Sequence, residues 1–591
     1  MMSHPMTDIA VVVAALCAAL CAVPARGQQT GSSPVTIEVS KERGHSVAVW
    51  LESSLKRVYP TSAPGSCTRM ELTAARNSRV SFQACFYNDG CYPISVECSV
   101  QQENGIQAVV RRVGYVPMRG FTQCTPKEDL DGIGHVPGLV PDPLFPENRA
   151  YLNNSFAIQP FWVTLYVAPD APTGVHELTV RMSVDGCPNS AELKVALNVR
   201  PLVLKPRKNF PVTHWWNADG IADAHKVELF GDRWFSLAEA YLADMVSHGS
   251  NVVFVPLFHH RREVVQRPAQ LLIVKVKKPG VYEFDWSRVR RFVALAKKVG
   301  FEYFEWPHLW HMKITPDNTI IGADEPARVY TFEDGKYRLI VPADAPAISD
   351  EWITFLKQFL PEFRKFIQQE GLENISYYHV SDEPGDSQRD IDNYRAVREK
   401  LRELAPWTDG RVMDAMSDIR YGRLKLIDYP VPNVAAAANY VAEGIPHWVY
   451  YCCGPLGLYT NRFYDTPLPK TRMIGMLCYK LGALGFLHWG YNYWYVMDLG
   501  NNPVPQQYVD PYCGSTVEPF GDAHVVYPGA AGPVDSIRWE VFAEGLQDYA
   551  ILQSAGIKPS DPMLSDIKDY AHFPRSEEWI RGVIDRALSS K

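Results

Sequence analysis

At residues 377–386, "YYHVSDEPGD", two acids, Asp382 and Glu383, stand side by side at the end of an apolar run and are closed off by Pro384. Adjacent carboxylates raise one another's proton affinity, and one can give a proton while the other manages a second group. Neighbours on a strand face opposite ways, so this pair is badly placed to flank one glycosidic bond as acid and nucleophile. The arrangement suits an acid beside a residue that handles a nucleophile carried by the substrate itself, such as the 2-acetamido group of an amino sugar. Pro384 cannot donate a ladder hydrogen bond and favours an extended Glu383, which ends the strand near Val380. The tripeptide alone also suits a solvated strand end and turn, so its surroundings decide.

Those surroundings read as strands alternating with helices. The strand candidates are "VTHWWN" from 212, "NVVFVPL" from 251, "FEYFEW" from 301, "ISYYHVS" from 375, "RVMDAM" from 411, "NVAAAAN" from 433, "HWVYYCC" from 447 and "GFLHWGYNYW" from 485. Amphipathic helices are expected at 351–372, 390–404 and 534–554. Such alternation implies a parallel sheet, and eight strands are what a (β/α)8 TIM-type barrel takes. The barrel is expected over 206–591, closed by C-terminal helices, with its chemistry at the C-terminal rim of the strands. Besides the acids, that rim would gather His214, Trp216, Trp306, Tyr440, His488, Trp489, Tyr491, Asn492 and Trp494 as candidate substrate-binding residues. Trp215, His259, His260, Glu305, Asn439 and Tyr493 lie at the same strand ends. Each is also what a packed core would use; together they describe an aromatic-walled polar cup. Residues 316–346 form an insertion expected to hang over this face.

Ahead of the barrel, 28–205 carries short alternating runs such as "RVSFQACFYN", "FWVTLYVA" and "AELKVALNVRPL", separated by Pro, Gly and Asp turns, the pattern of an antiparallel β-sandwich. "PLVLKPRKNFP" marks the boundary, where prolines and a basic cluster interrupt the periodicity. The apolar run 9–23, followed by small residues Ala25 and Gly27, reads as a signal peptide over 1–27, which predicts an exported protein. Of the 12 cysteines, Cys67, Cys85, Cys91, Cys98, Cys124 and Cys187 fall in the sandwich, where export would allow disulfides and buried thiols are the alternative. Cys452, Cys453, Cys478 and Cys513 lack the paired spacing of a zinc site.

A net charge of −7 with 21% charged residues argues against a nucleic-acid partner. No stretch after the leader is apolar for long enough to cross a bilayer. The 15 Trp and 30 Tyr suit the flat faces of sugars as well as a large core. No GxSxG elbow, Walker loop, HExxH or dinucleotide fingerprint occurs at a suitable junction. "HLWH" (His308, His311) sits on an irregular segment without nearby carboxylates, so no metal and no cofactor is called for.

Three motifs in order, "HVSDEPGD", "GFLHWGYNYW" and "GPVDSIRWEVFAEGLQDYAIL", resemble glycoside hydrolase family 123, the β-N-acetylgalactosaminidases, and the uncharacterised domains related to it. The resemblance covers roughly residues 206–555, and a sandwich ahead of the barrel fits the same family. It implies that Asp382 orients and polarises the substrate's acetamido group, that Glu383 is general acid and then base, and that Trp489, Tyr491, Asn492 and Trp494 border the reacting sugar. Arg538, Glu544, Asp548 and Tyr549 match family positions on a helix and are expected to form a helix-to-barrel hydrogen-bond network. The expected activity is removal of β-linked N-acetylgalactosamine from glycans or glycoconjugates, with retention, through an oxazoline-like intermediate. A glycosidase of another specificity and a non-catalytic glycan-binding protein are the alternatives.

Overall fold

The computed structural model describes residues 34–589 except 89, 91, 154–156, 260–266, 316–318, 343, 497–506 and 516. The signal-peptide segment, Cys91 and His260 therefore lie outside the described residues.

The N-terminal region is largely antiparallel sheet. An eight-stranded sheet runs Val35–Ser40, His45–Ser53, Ser78–Asn88, Ile158–Val167, Ile106–Met118, Gly138–Phe145, Pro533–Ser536 and Tyr527–Pro528 in spatial order. A five-stranded sheet runs Arg69–Arg76, Ser190–Val203, Gly174–Val184, Ile94–Val100 and Arg149–Leu152, with one parallel pair between Arg69–Arg76 and Ser190–Val203. Alternating residues of both sheets, among them Phe82, Phe86, Phe161, Val195 and Leu197, fill one shared core, as the two-residue period requires. The last two strands of the larger sheet come from beyond residue 526, so the chain returns from the parallel region to finish the N-terminal sheet. The cysteines described here are thiols: Cys85 and Cys98 are buried inside the sheets, and burial pushes both thiols up. The expected disulfides are thus not formed among them.

Beyond residue 211 a half-barrel of parallel strands carries the site. Six strands form one sheet in the order Ser376–His379, Tyr303–His308, Val252–Phe254, Val212–His214, Phe486–His488 and Val449–Tyr450. Met413–Ala415 and Tyr429–Val431 make a separate parallel pair. Single parallel bridges join Tyr378 to Val412 and Asn433 to Tyr450. One expected strand is corrected. "NVAAAAN" leads into the helix Ala437–Glu443, and the strand beside it is "YPV" at Tyr429–Val431. Alanine is the best helix former, and the proline at 430 had disguised the true strand.

Helices pack on the outside with their apolar stripes inward. Asp350–Gln369 is capped by Ser349, whose side chain accepts from the Trp352 amide, and it buries Trp352, Phe355, Phe359, Phe363 and Phe366 at helical spacing. Ile537–Ala555 differs because it is buried on its polar positions too. Arg538 holds Asp142 of the N-terminal sheet through two bonds of 3.0 and 2.9 Å, and Arg472 holds Glu544 and Asp548, each at 2.8 Å. Tyr549 stacks on Phe210. This helix is the internal bolt between sheet and half-barrel. No helix among the described residues is long and apolar enough to cross a membrane.

Candidate active site

The strand Ser376–His379 delivers its chain directly into Ser381, Asp382, Glu383 and Pro384. Ser381 and Pro384 are buried, whereas Asp382 and Glu383 are half-buried and present their carboxyl groups at the strand end. Glu383 is not extended as its proline neighbour led us to expect. Its φ is +40°, in the left-handed region that costs a side-chain-bearing residue energy and persists only where surroundings impose it. The restraints are visible: the Glu383 amide donates to the Ala415 carbonyl at 3.0 Å, and the Tyr450 hydroxyl donates to Glu383 Oε1 at 2.7 Å. Burial, then the Glu383 carboxylate, pushes the Tyr450 phenol well above its ordinary value, so it keeps its proton.

Below the pair lies a buried ionic stack. Asp414 Oδ1 meets His379 Nδ1 at 2.9 Å, and His379 Nε2 meets Glu305 Oε1 at 2.7 Å. Burial alone would depress the imidazole, but hydrogen bonds to Asp414 and Glu305 outweigh it and carry His379 up to about 10, leaving an imidazolium between two carboxylates. Asp414 also accepts from the amides of Val380 (3.1 Å) and Ser381 (3.3 Å) and from the Tyr394 hydroxyl (2.7 Å). Through those amides it fixes the two residues that precede Asp382. Glu305 takes further bonds from Trp215 Nε1 at 2.6 Å and from the Thr213 hydroxyl.

The inserted segment holds the loop from the other side. Its hairpin pairs Trp310–Ile314 with Ile320–Pro326, and Gly322 packs so tightly on Pro384 that an added Cβ would stand 1.5 Å from the Pro384 carbonyl oxygen. The Gly322 amide donates to Asp390 Oδ1 at 2.9 Å, while Asp390 Oδ2 completes the capping box of helix Gln388–Leu404 with Ser387. One carboxylate thus ties the insertion to the helix that follows the acid pair.

Of the other candidates, Trp489 is the one left half-buried, and Asp522 Oδ2 accepts its indole N–H at 2.8 Å. The rest are buried and bonded or stacked within the protein. His214 and His488 are fully buried; burial, then the nearby Arg462 cation, holds both imidazoles well below their ordinary value. Trp216 stacks on Phe292, and Trp306 donates to Ser376 Oγ at 2.9 Å. Tyr440 donates to the Asp418 carbonyl at 2.9 Å, Tyr491 to Asp244 Oδ2 at 2.6 Å and Trp494 to the Val526 carbonyl at 3.1 Å. Asn492 straps the Asn217 backbone, accepting from its amide at 2.6 Å and donating to its carbonyl at 3.0 Å. Asp382, Glu383 and Trp489 are thus the half-buried members of the expected cup, and its remaining aromatics are buried. Tyr450 and Asp414 were missed. An Asp inside the apolar run "RVMDAM" was the available signal for the second.

Ligand atoms of His308, His379 and Asp414 lie within 4.8 Å of one another, as do those of Asp244, His248 and Asp535. In each group the histidine nitrogens already face carboxylates: His379 meets Asp414 and Glu305, and His248 meets Asp244 and Glu540.

The family model for the glycoside hydrolase 123 catalytic domain matches residues 215–555. Among solved structures, a family 123 glycoside hydrolase from Clostridium perfringens, analysed for glycolipid glycan hydrolysis, superposes with a TM-score of 0.67 at 16% identity, covering 92% of this chain and 96% of that one. An endo-β-1,4-mannanase from Thermotoga petrophila gives a TM-score of 0.32 at 10% identity over 60% of this chain and 79% of its own. No curated protein matches.

Proposed function

The chain belongs to the glycoside hydrolase 123 family and is a glycoside hydrolase, and from that premise we propose that it releases β-linked N-acetylgalactosamine from glycans or glycoconjugates by substrate-assisted catalysis. The observation that carries this reading is the adjacent pair itself: Asp382 and Glu383 share one strand end, one held from beneath through its neighbours' amides and the other by Tyr450.

Glu383 acts as general acid. Tyr450 occupies Oε1 as a donor, which leaves Oε2 to carry the proton given to the leaving oxygen. Asp382 accepts from the acetamido N–H and turns its carbonyl oxygen towards the anomeric carbon. That oxygen attacks, the bond to the leaving group breaks, and an oxazoline-like intermediate forms. Glu383, now a carboxylate, takes a proton from water as water opens the ring, so the configuration is retained. Trp489, fixed by Asp522, offers a ring on which a sugar face stacks.

The single bridges Tyr378–Val412 and Asn433–Tyr450 support a further reading, that the half-barrel and its neighbouring pair close into one (β/α)8 barrel with the acids at its C-terminal rim. The apolar leader supports export, with a mature chain beginning near Gln28. Kinetics on aryl glycosides with and without a 2-acetamido group test the function. Turnover confined to the 2-acetamido-2-deoxy-galactoside supports it, and preferential turnover of a plain hexoside overturns it.

A further inference from the structure

The basic cluster at the sequence boundary has no part in the chemistry above, yet its Lys205 and Arg207 line a cleft of 660 Å³ between the N-terminal sheet and the half-barrel. The volume lies within the range of about 300–1,000 Å³ usual for small-molecule sites. One wall is the ends of three interior strands of the larger sheet, with Arg79, Gln107 and Tyr166; the other is the turn Ser247–Gly249 and helix Ile537–Ala555. Asp382, Glu383, Tyr450 and Trp489 do not line it, so it is separate from the strand-end site.

Its charge is unbalanced. Arg207 is half-buried and donates from Nη2 to the Gly249 carbonyl at 2.5 Å, but its enclosed Nε has no acceptor, and among the described residues no carboxylate pairs with it. Burial pulls the guanidinium down to about 10, the mark of a cation without sufficient compensation. Arg79 is the contrary case, offset by Glu540 at 3.6 Å. Glu103 is the one lining carboxylate; it is exposed and stands 3.4 Å from the His176 ring. A guanidinium on the cleft wall without a carboxylate partner favours an oxyanion, and the 38%-exposed Tyr166 ring on the facing wall offers an apolar face.

We infer that this cleft is a second binding site, for a saccharide bearing a carboxylate or a sulfate, with Arg207 taking the anionic oxygens and Tyr166 stacking on the ring. The anion preference stands on the cleft alone; its saccharide occupant rests on the proposed function. Glycan hydrolysis at Glu383 and acidic-sugar retention in the cleft would then let one chain hold a charged glycan while trimming a neutral end.

Titration calorimetry on the full chain tests this with three probes: a uronic-acid disaccharide, a neutral disaccharide O-sulfated at one position, and the unsulfated neutral disaccharide. Both acidic probes are expected to bind one per chain, at least about ten-fold tighter than the neutral one. Arg207→Ala and Gln107→Trp, the second filling the cleft without touching the guanidinium, should each weaken them about ten-fold and leave aryl-glycoside turnover unchanged. Preference for one acidic probe assigns the anion as carboxylate or sulfate. Equal binding of the neutral probe, no response to either variant, binding of inorganic sulfate as tight as the sulfated sugar, or displacement by an active-site inhibitor would each overturn the proposal. Because the readout is binding, absent turnover in the wild type would overturn the proposed function and leave the cleft's anion preference decided separately.

Discussion

The Tyr450 hydroxyl donates to Glu383 Oε1 at 2.7 Å, from a strand end more than sixty residues away in sequence, and it holds the one side chain of the acid pair that sits on a left-handed backbone. A charge-assisted bond of this kind contributes about 1.5–3 kcal/mol. Tyr450→Phe should therefore lower kcat roughly ten- to hundred-fold, with a smaller effect on KM, because the ring still fills its place while the acid loses its orientation. Steady-state kinetics on one aryl N-acetylgalactosaminide decide this, and an unchanged kcat would remove Tyr450 from the account.

Glu383→Gln separates proton donation from the rest. Turnover of an oligosaccharide should fall by about 10²–10⁴-fold, the usual range for general acid catalysis, while an aryl glycoside with an acidic leaving group should be largely spared. Comparing the two substrates on the same variant gives the answer directly. Equal losses on both would mean that Glu383 does something other than protonate the departing oxygen.

His379 concerns stability before catalysis. Its imidazolium bonds both Asp414 and Glu305, so His379→Asn removes the charge that bridges these buried carboxylates and should cost about 3–5 kcal/mol. The folded-state value of about 10 lies above the ordinary 6.5. Stabilisation from the charged ring is thus complete below about pH 6.5 and is lost as pH rises towards 10. Denaturant melts of wild type and variant should show their widest gap near pH 6, with the gap narrowing steadily above about pH 6.5 until the ring's charge contribution is gone near pH 10. A gap that widened with pH would contradict the assignment of a charged ring.

Gly322 tests the insertion. With a Cβ placed 1.5 Å from the Pro384 carbonyl oxygen, Gly322→Ala must push the hairpin off the acid-bearing loop, since backbone cannot yield as a flexible side chain does. The stability cost should be about 1–3 kcal/mol. Catalysis should suffer more than that loss alone implies, and activity assayed well below the melting temperature measures it. Full activity would show that the insertion merely lies nearby.

Much of this was legible in the sequence. Period-two runs announced the N-terminal sheets, and the apolar run before "SDEP" announced the strand that ends beside the acid pair. What escaped was orientation. Trp216, Trp306, Tyr440, Tyr491 and Trp494 lie at or near expected strand ends, yet their indoles and phenols reach backbone carbonyls or buried side chains in the core, because alternation along a strand tells faces apart without saying which face is the mouth. Tyr450 was hidden for the same reason inside "HWVYYCC". The strand "YPV" was hidden by its proline, and the left-handed Glu383 contradicts a local preference that tertiary bonds overrule.

The central claim is that the substrate supplies the nucleophile and Asp382 serves it. The most direct measurement is kcat/KM on a matched pair of aryl β-galactosides that differ only at carbon 2, one with N-acetyl and one with hydroxyl. Removing the acetamido group forfeits an intramolecular nucleophile whose effective molarity reaches about 10⁵–10⁸ M, so the hydroxyl substrate should be poorer by several orders of magnitude. Comparable kcat/KM on the two substrates, or a glycosyl ester trapped on Asp382, would show that the protein provides its own nucleophile.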